Sequence, residues 1–135
     1  MVDLMDDDPK HYCGVVAMAL EVRAAPELKR ALRVMQHRGQ EAAGIAVSDK
    51  GSLSYLRGAG LVHEVLGGKE FDSLKGCVGI GHVRYATTGT SCSDNAQPIV
   101  VTSAAGDVAL GHNGDIVNSA KLRSKYQSDG WAFLT

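Results

Sequence analysis

The run Cys13-Gly14-Val15-Val16-Ala17-Met18-Ala19-Leu20 constrains the fold of this 135-residue chain more than any other stretch. It is continuously apolar or small and rich in Val. It is too short for an amphipathic helix and far below the roughly 18 apolar residues of a membrane span. It therefore reads as a buried strand, and such a strand needs partner strands beside it and a helix over it. Both follow along the chain. Residues 26–37 place Leu28, Ala31, Leu32 and Met35 at helical spacing, with Pro26 in the first turn and Gly39 just past the end. Residues 42–48 and 52–57 are strand-like runs around Asp49-Lys50-Gly51, a hairpin signal. Segments 61–66 and 69–74 read as short helical pieces, 77–85 as a strand interrupted by glycines, and 86–95 as a polar loop. Strands are expected at 98–102 and 108–112, and a closing helix at 116–126 with Asn113 or Asp115 near its start. This alternation predicts an α+β layered fold.

In front of the apolar run lies a different kind of sequence. Residues 1–12 carry Asp3, Asp6, Asp7 and Asp8 with Lys10 and read as an extended acidic leader. They lack the basic start and apolar stretch of a secretory signal, so a cytoplasmic protein is expected. The formal charge is −1, and without the leader it becomes +2. Neither balance favours a general affinity for nucleic acid or an anionic membrane. Cys13, Cys77 and Cys92 are odd in number and form no CxxC pair, which disfavours a disulfide framework and a structural zinc site. The five histidines show no metal-ligand spacing, so no metal is expected in this chain. Sixteen glycines against three prolines imply many positions of close backbone approach or positive φ.

Four clusters could carry chemistry. Cys13 opens the apolar run directly behind the leader. A thiol needs a base or a positive charge to act as a nucleophile at neutral pH. Removal of the leader would supply one, because an α-amino group titrates at about 7.7 to 8.0 whereas an amide nitrogen accepts no proton. The plainer reading of Cys13 is a buried structural cysteine at a strand start. His37-Arg38-Gly39-Gln40-Glu41 closes the helix, where a charged cluster is ordinarily a solvated cap. Gly79-Ile80-Gly81-His82-Val83-Arg84-Tyr85-Ala86-Thr87-Thr88-Gly89 combines close-approach glycines with an arginine and a threonine that suit one carboxylate. It lacks the Gly-Lys-Ser/Thr of a phosphate loop. Gly111-His112-Asn113-Gly114-Asp115 lies at a strand-to-helix junction. Asn-Gly there is either a turn or an oxyanion hole built from the Asn113 amide and the Gly114 N–H.

Taken together, Cys13-Gly14-Val15-Val16, Met35-Gln36-His37-Arg38-Gly39-Gln40-Glu41-Ala42-Ala43-Gly44, Gly79-Ile80-Gly81-His82-Val83-Arg84-Tyr85, Asn95-Ala96-Gln97-Pro98 and His112-Asn113-Gly114 occur in one order. In that order they resemble the glutaminase half of the amidophosphoribosyltransferase family, glutamine-dependent enzymes that open purine synthesis. The resemblance runs from Cys13 to about Tyr126. It implies the N-terminal-nucleophile hydrolase fold, a four-layer αββα sandwich, here incomplete at the C-terminus. Residues 1–12 resemble a propeptide removed by self-processing, and residues 13–135 the N-terminal part of a class II glutamine amidotransferase domain. The implied reaction hydrolyses glutamine and passes the ammonia to phosphoribosyl pyrophosphate, giving 5-phosphoribosylamine for de novo purine biosynthesis.

The same resemblance implies roles for particular residues. Cys13 matches the nucleophile that becomes the mature N-terminus, and Arg38 a substrate-binding residue beside it. Arg84 and Thr87 match positions that hold the substrate α-carboxylate, Asn113 and Gly114 the oxyanion hole, and Tyr85 a residue that couples the two halves of the enzyme. No cofactor is implied in this chain; Mg2+ and an iron–sulfur cluster are implied for the complete enzyme. The implied partners are glutamine, a phosphoribosyltransferase domain absent here, and further copies of the chain in a dimer or tetramer.

There are departures as well. Ala17 stands where a second Gly is common in the family. The chain reaches Thr135 before any Ser/Thr-Ser-Asp-type segment, whose Asp binds the substrate amino group, and Asp129 is not given that role. An inactive truncated piece or a binding module is therefore the alternative expectation. Another is a glutaminase of the glucosamine-6-phosphate synthase type, although that type ordinarily carries a Trp where this chain has Tyr85.

Overall fold

The computed structural model describes residues 13–85, 93–114 and 116–133. The leader 1–12, Thr87, Cys92 and Asp115 lie outside the described residues. The apolar run forms β1 (Gly14–Ala19), followed by α1 (Ala24–Val34) and a 3₁₀ turn at Gln36–Arg38. A hairpin of β2 (Ala42–Asp49) and β3 (Ser52–Ala59) comes next. Its turn places Lys50 and Gly51 at φ 50° and 88°, the left-handed geometry that the Asp-Lys-Gly sequence announces. The short helix α2 (Val62–Val65) and a 3₁₀ segment at Lys69–Ser73 lead to β4 (Val78–Arg84). A 3₁₀ turn at Ser93–Asn95, the hairpin β5 (Ile99–Ser103) and β6 (Gly106–Leu110), and α3 (Ser119–Ser128) complete the described chain.

β1, β4, β2 and β3 hydrogen-bond in that order into one antiparallel sheet, with β4 central between β1 and β2. Register fixes its two faces. A Cβ at Gly79 or Gly81 would meet Leu28 or Leu32 of α1, and one at Gly14 would meet Met35. Gly14, Val83, Ala43 and their alternate neighbours therefore face the helices. There Leu28, Leu32, Val62, Leu66 and Leu74 pack on Ala43, Ile45, Val47 and Val83 as the buried core. Each such leucine contributes roughly 1.5–3 kcal/mol of burial free energy.

The opposite face carries Val15, Gly44, Arg57, Ile80 and His82 and looks toward the second, two-stranded sheet of β5 and β6. Cover is partial here. Val15 of β1 is 38% exposed and Tyr55 of β3 50%, so the run that reads as a buried strand is covered on its helical face and only partly on the other.

Three further expectations shift. α1 starts two residues before Pro26, which still falls in the first turn, where a missing N–H breaks no intrahelical bond. β6 ends at Leu110, short of His112. α3 starts after Asn118, because the β-branched Ile116 and Val117 occupy a turn closed by the bond from Ser119 N–H to the Ile116 carbonyl. Asn113 therefore does not cap α3.

Candidate functional site

Cys13 stands immediately before β1 and is half-buried, not enclosed as a structural cysteine would be. Its φ is 43°, in the left-handed region that a residue with a Cβ rarely adopts, so the backbone turns sharply where the strand begins. Pairing of Gly14 with Val83 brings Cys13 to the end of β4. Its Sγ lies 3.5 Å from the Tyr85 amide nitrogen, which donates to it, and 3.6 Å from the Tyr85 carbonyl oxygen. The thiol thus meets main chain in both roles, donating to the Tyr85 carbonyl and accepting from the Tyr85 N–H.

Arg38 is not a solvated cap. The 3₁₀ turn after α1 swings its side chain back over β1, and its Nε donates to the Cys13 carbonyl at 2.9 Å. That turn is held by Gln36, whose amide nitrogen donates to the Gly39 carbonyl at 2.6 Å and whose side-chain oxygen accepts from Val62 N–H at 2.8 Å. Gly39 lies directly on the β4 backbone: a Cβ there would sit 2.6–2.8 Å from main-chain atoms of Val83 and Arg84. Only glycine permits that approach.

Arg84 ends β4 with a side chain only 12% exposed, and Nη1 lies 3.4 Å from Glu41 Oε2. A guanidinium this close to the thiol end of the sheet can hold a carboxylate, and Glu41 is the carboxylate it now meets. Tyr85 is 48% exposed and contributes its main chain to the thiol. Asn113 and Gly114 are exposed, and Gly114 has φ 142°, the left-handed half of the map. Gly111 lies near Val15 and Ile80, which carries this segment over the second face of the sheet.

Cys13, Arg38, Arg84 and Tyr85 are thus brought together by β1, β4 and the turn after α1. Thr87 lies outside the described residues. Sequence reasoning gave no role to His82, which is fully buried on the second face. Burial pushes its imidazole below the ordinary histidine range, and the charge of Arg84 acts in the same direction, against the opposing bond to the His112 carbonyl. Among the described residues there is no group of three His, Cys, Asp or Glu that could hold a metal ion. Nor is any helix among them long and apolar enough to cross a membrane.

No protein-family model matches the chain. It is 43% identical over 125 residues to the amidophosphoribosyltransferase of Methanocaldococcus jannaschii, covering 91% of this chain and 26% of that protein. Against the amidophosphoribosyltransferase of Archaeoglobus fulgidus the identity is 47% over 125 residues, with 91% and 27% covered. A solved structure described as the allosteric regulatory enzyme of purine biosynthesis superposes with a TM-score of 0.85 at 38% identity, over 90% of this chain and 26% of that one. The chain spans about a quarter of the length of the curated relatives it matches. In sequence and in fold it belongs with the amidophosphoribosyltransferases, matching the N-terminal region of their N-terminal-nucleophile hydrolase fold.

Proposed function

We propose that this chain supplies the glutaminase centre of an amidophosphoribosyltransferase, with Cys13 as nucleophile. The observation that carries the reading is the Cys13 thiol at the head of β1, set against the Tyr85 N–H with Arg38 on its own carbonyl. Removal of residues 1–12 turns the Cys13 nitrogen from an amide into a free amine, which takes the thiol proton. The sulfur attacks the carboxamide carbon of glutamine, and the carbonyl oxygen becomes an oxyanion received by the Asn113 side-chain amide and the Gly114 N–H. Donors of this kind typically contribute about 10²- to 10³-fold in rate each. The amine passes its proton to the leaving nitrogen, ammonia departs and a glutamyl thioester remains. Water then attacks that thioester, glutamate leaves and the thiol is restored. Arg84, with Thr87, binds the substrate α-carboxylate in place of Glu41.

In the complete enzyme the ammonia displaces pyrophosphate from phosphoribosyl pyrophosphate, giving 5-phosphoribosylamine for purine biosynthesis. Tyr85 couples the two centres. Mg2+, the iron–sulfur cluster and the contacts between subunits belong, on this reading, to parts of the protein outside the described residues, and the protein works in the cytoplasm. Intact-mass analysis of protein that releases glutamate from glutamine tests the mechanism: the active species is expected to begin at Cys13. Full activity with residues 1–12 still attached would rule out the free-amine mechanism.

The partly uncovered second face of the four-stranded sheet favours a second reading, in which these 135 residues alone form a non-catalytic module. Glutamate release by the isolated chain would exclude it.

A further inference from the structure

His112, the residue before Asn113, is held at both ends of its backbone. Its N–H donates to the side-chain oxygen of Gln97 at 2.7 Å, and its carbonyl accepts from His82 Nε2 at 3.0 Å. A carbonyl cannot donate, so Nε2 carries the proton and neutral His82 is the Nε2–H tautomer. The sheet places both holding side chains. His82 pairs with Val15 on one side and Gly44 on the other, and the absence of a side chain at Gly44 makes room for the Gln97 main chain, whose carbonyl oxygen a Cβ there would strike. Gln97 thus lies over Gly44 while His112 lies over the neighbouring His82. His82 is fully buried, and its Nδ1 has no partner among the described residues. A buried imidazole that leaves one nitrogen unpaired is a poor choice for packing alone, since an apolar side chain carries no such cost. The one hydrogen bond of its side chain among the described residues is the bond to His112.

We infer that His82 and Gln97 are positioning residues that clamp the His112 backbone from its two ends and so fix where the Asn113 amide and the Gly114 N–H point. The catalytic meaning of this clamp rests on the oxyanion role proposed for Asn113 and Gly114. Neither His82 nor Gln97 touches substrate; each acts through the segment it holds. The positive φ of Gly114 lets the chain turn two residues after the clamped His112.

The test needs no turnover. Long-range proton–nitrogen spectra of the unaltered chain near neutral pH are expected to show His82 with its proton on Nε2; a proton on Nδ1 would overturn the clamp. Hydrogen exchange at the His112 amide is expected to quicken about tenfold in His82→Leu, the loss of one hydrogen bond. It should return close to the parent rate in His82→Gln, whose amide nitrogen reaches about as far as Nε2. Gln97→Met and Gln97→Glu should behave as the same kind of pair, the glutamate keeping the acceptor, which keeps the test decisive if His82→Leu fails to fold. Unchanged exchange in the folded apolar variants, or no recovery in the polar ones, would overturn the inference. If the clamp behaves as expected while Asn113→Ala reacts with a glutamine analogue as fast as the parent, the clamp stands and the oxyanion role is what fails.

Discussion

The Cys13 thiol rests against the main chain of Tyr85, 3.5 Å from its amide nitrogen and 3.6 Å from its carbonyl oxygen, across 72 residues of sequence. Two structural facts produce that contact. β1 and β4 pair so that Gly14 faces Val83, and the left-handed φ of Cys13 turns the chain where the strand begins. The groups that meet the thiol are therefore main-chain atoms brought to it by the sheet.

Arg38 secures the other side of Cys13. Its Nε bond to the Cys13 carbonyl holds the peptide whose rotation would carry the thiol away from Tyr85. In Arg38→Ala the second-order rate of Cys13 labelling by a reactive glutamine analogue is expected to fall at least about tenfold, since small misplacements of a reacting group are costly. Urea unfolding of the same variant should show a much smaller change. Labelling at the parent rate would show that Arg38 does not position the nucleophile.

Gly39 makes that placement of Arg38 possible. Its φ is −162°, ordinary extended backbone, so the demand for glycine is steric and not conformational. Gly39→Ala drives a Cβ into main-chain atoms of Val83 and Arg84 and should destabilise by about 1–3 kcal/mol, read as a lower urea midpoint. Gly51→Ala is the contrast. It has open space and φ 88°, so only backbone strain of about 1–2 kcal/mol applies, with no effect on Cys13. A Gly39→Ala midpoint equal to that of the parent would mean that β4 and the turn are less tightly apposed than described.

Stability should also respond to pH through His82. Its imidazole is held below the ordinary histidine value by burial, so the unfolded chain binds a proton at a higher pH than the folded one does. The stabilisation is complete above about pH 6.5 and is lost as pH falls from there through the folded value. The slope is at most about 1.4 kcal/mol per pH unit for one proton. Measured from pH 7.5 downward, the unfolding free energy of the parent should fall relative to that of His82→Gln. Parallel curves would contradict the buried neutral histidine.

The sequence made the strand and helix plan legible because each element carries a local signal. The apolar run of β1, the spaced leucines of α1, the Asp-Lys-Gly turn and the glycines of β4 all act within a few residues. Cys13 stood out for the same reason, as a thiol heading a strand behind a separable leader. Arg38 did not. A charged residue at a helix end is ordinarily solvated, and only the 3₁₀ turn held by Gln36 sends this one back over β1. His82 was invisible because its partner is a backbone carbonyl 30 residues away, and a carbonyl leaves no trace in residue identity. α3 was misplaced because its surface is polar all round, with no buried residue to set a phase.

Labelling the chain with a reactive glutamine analogue and locating the adduct by peptide mass mapping tests whether Cys13 is the nucleophile. One adduct is expected, on Cys13, and none in Cys13→Ala. Labelling that persists in Cys13→Ala, or an adduct on Cys77 or Cys92 in place of Cys13, would contradict that assignment.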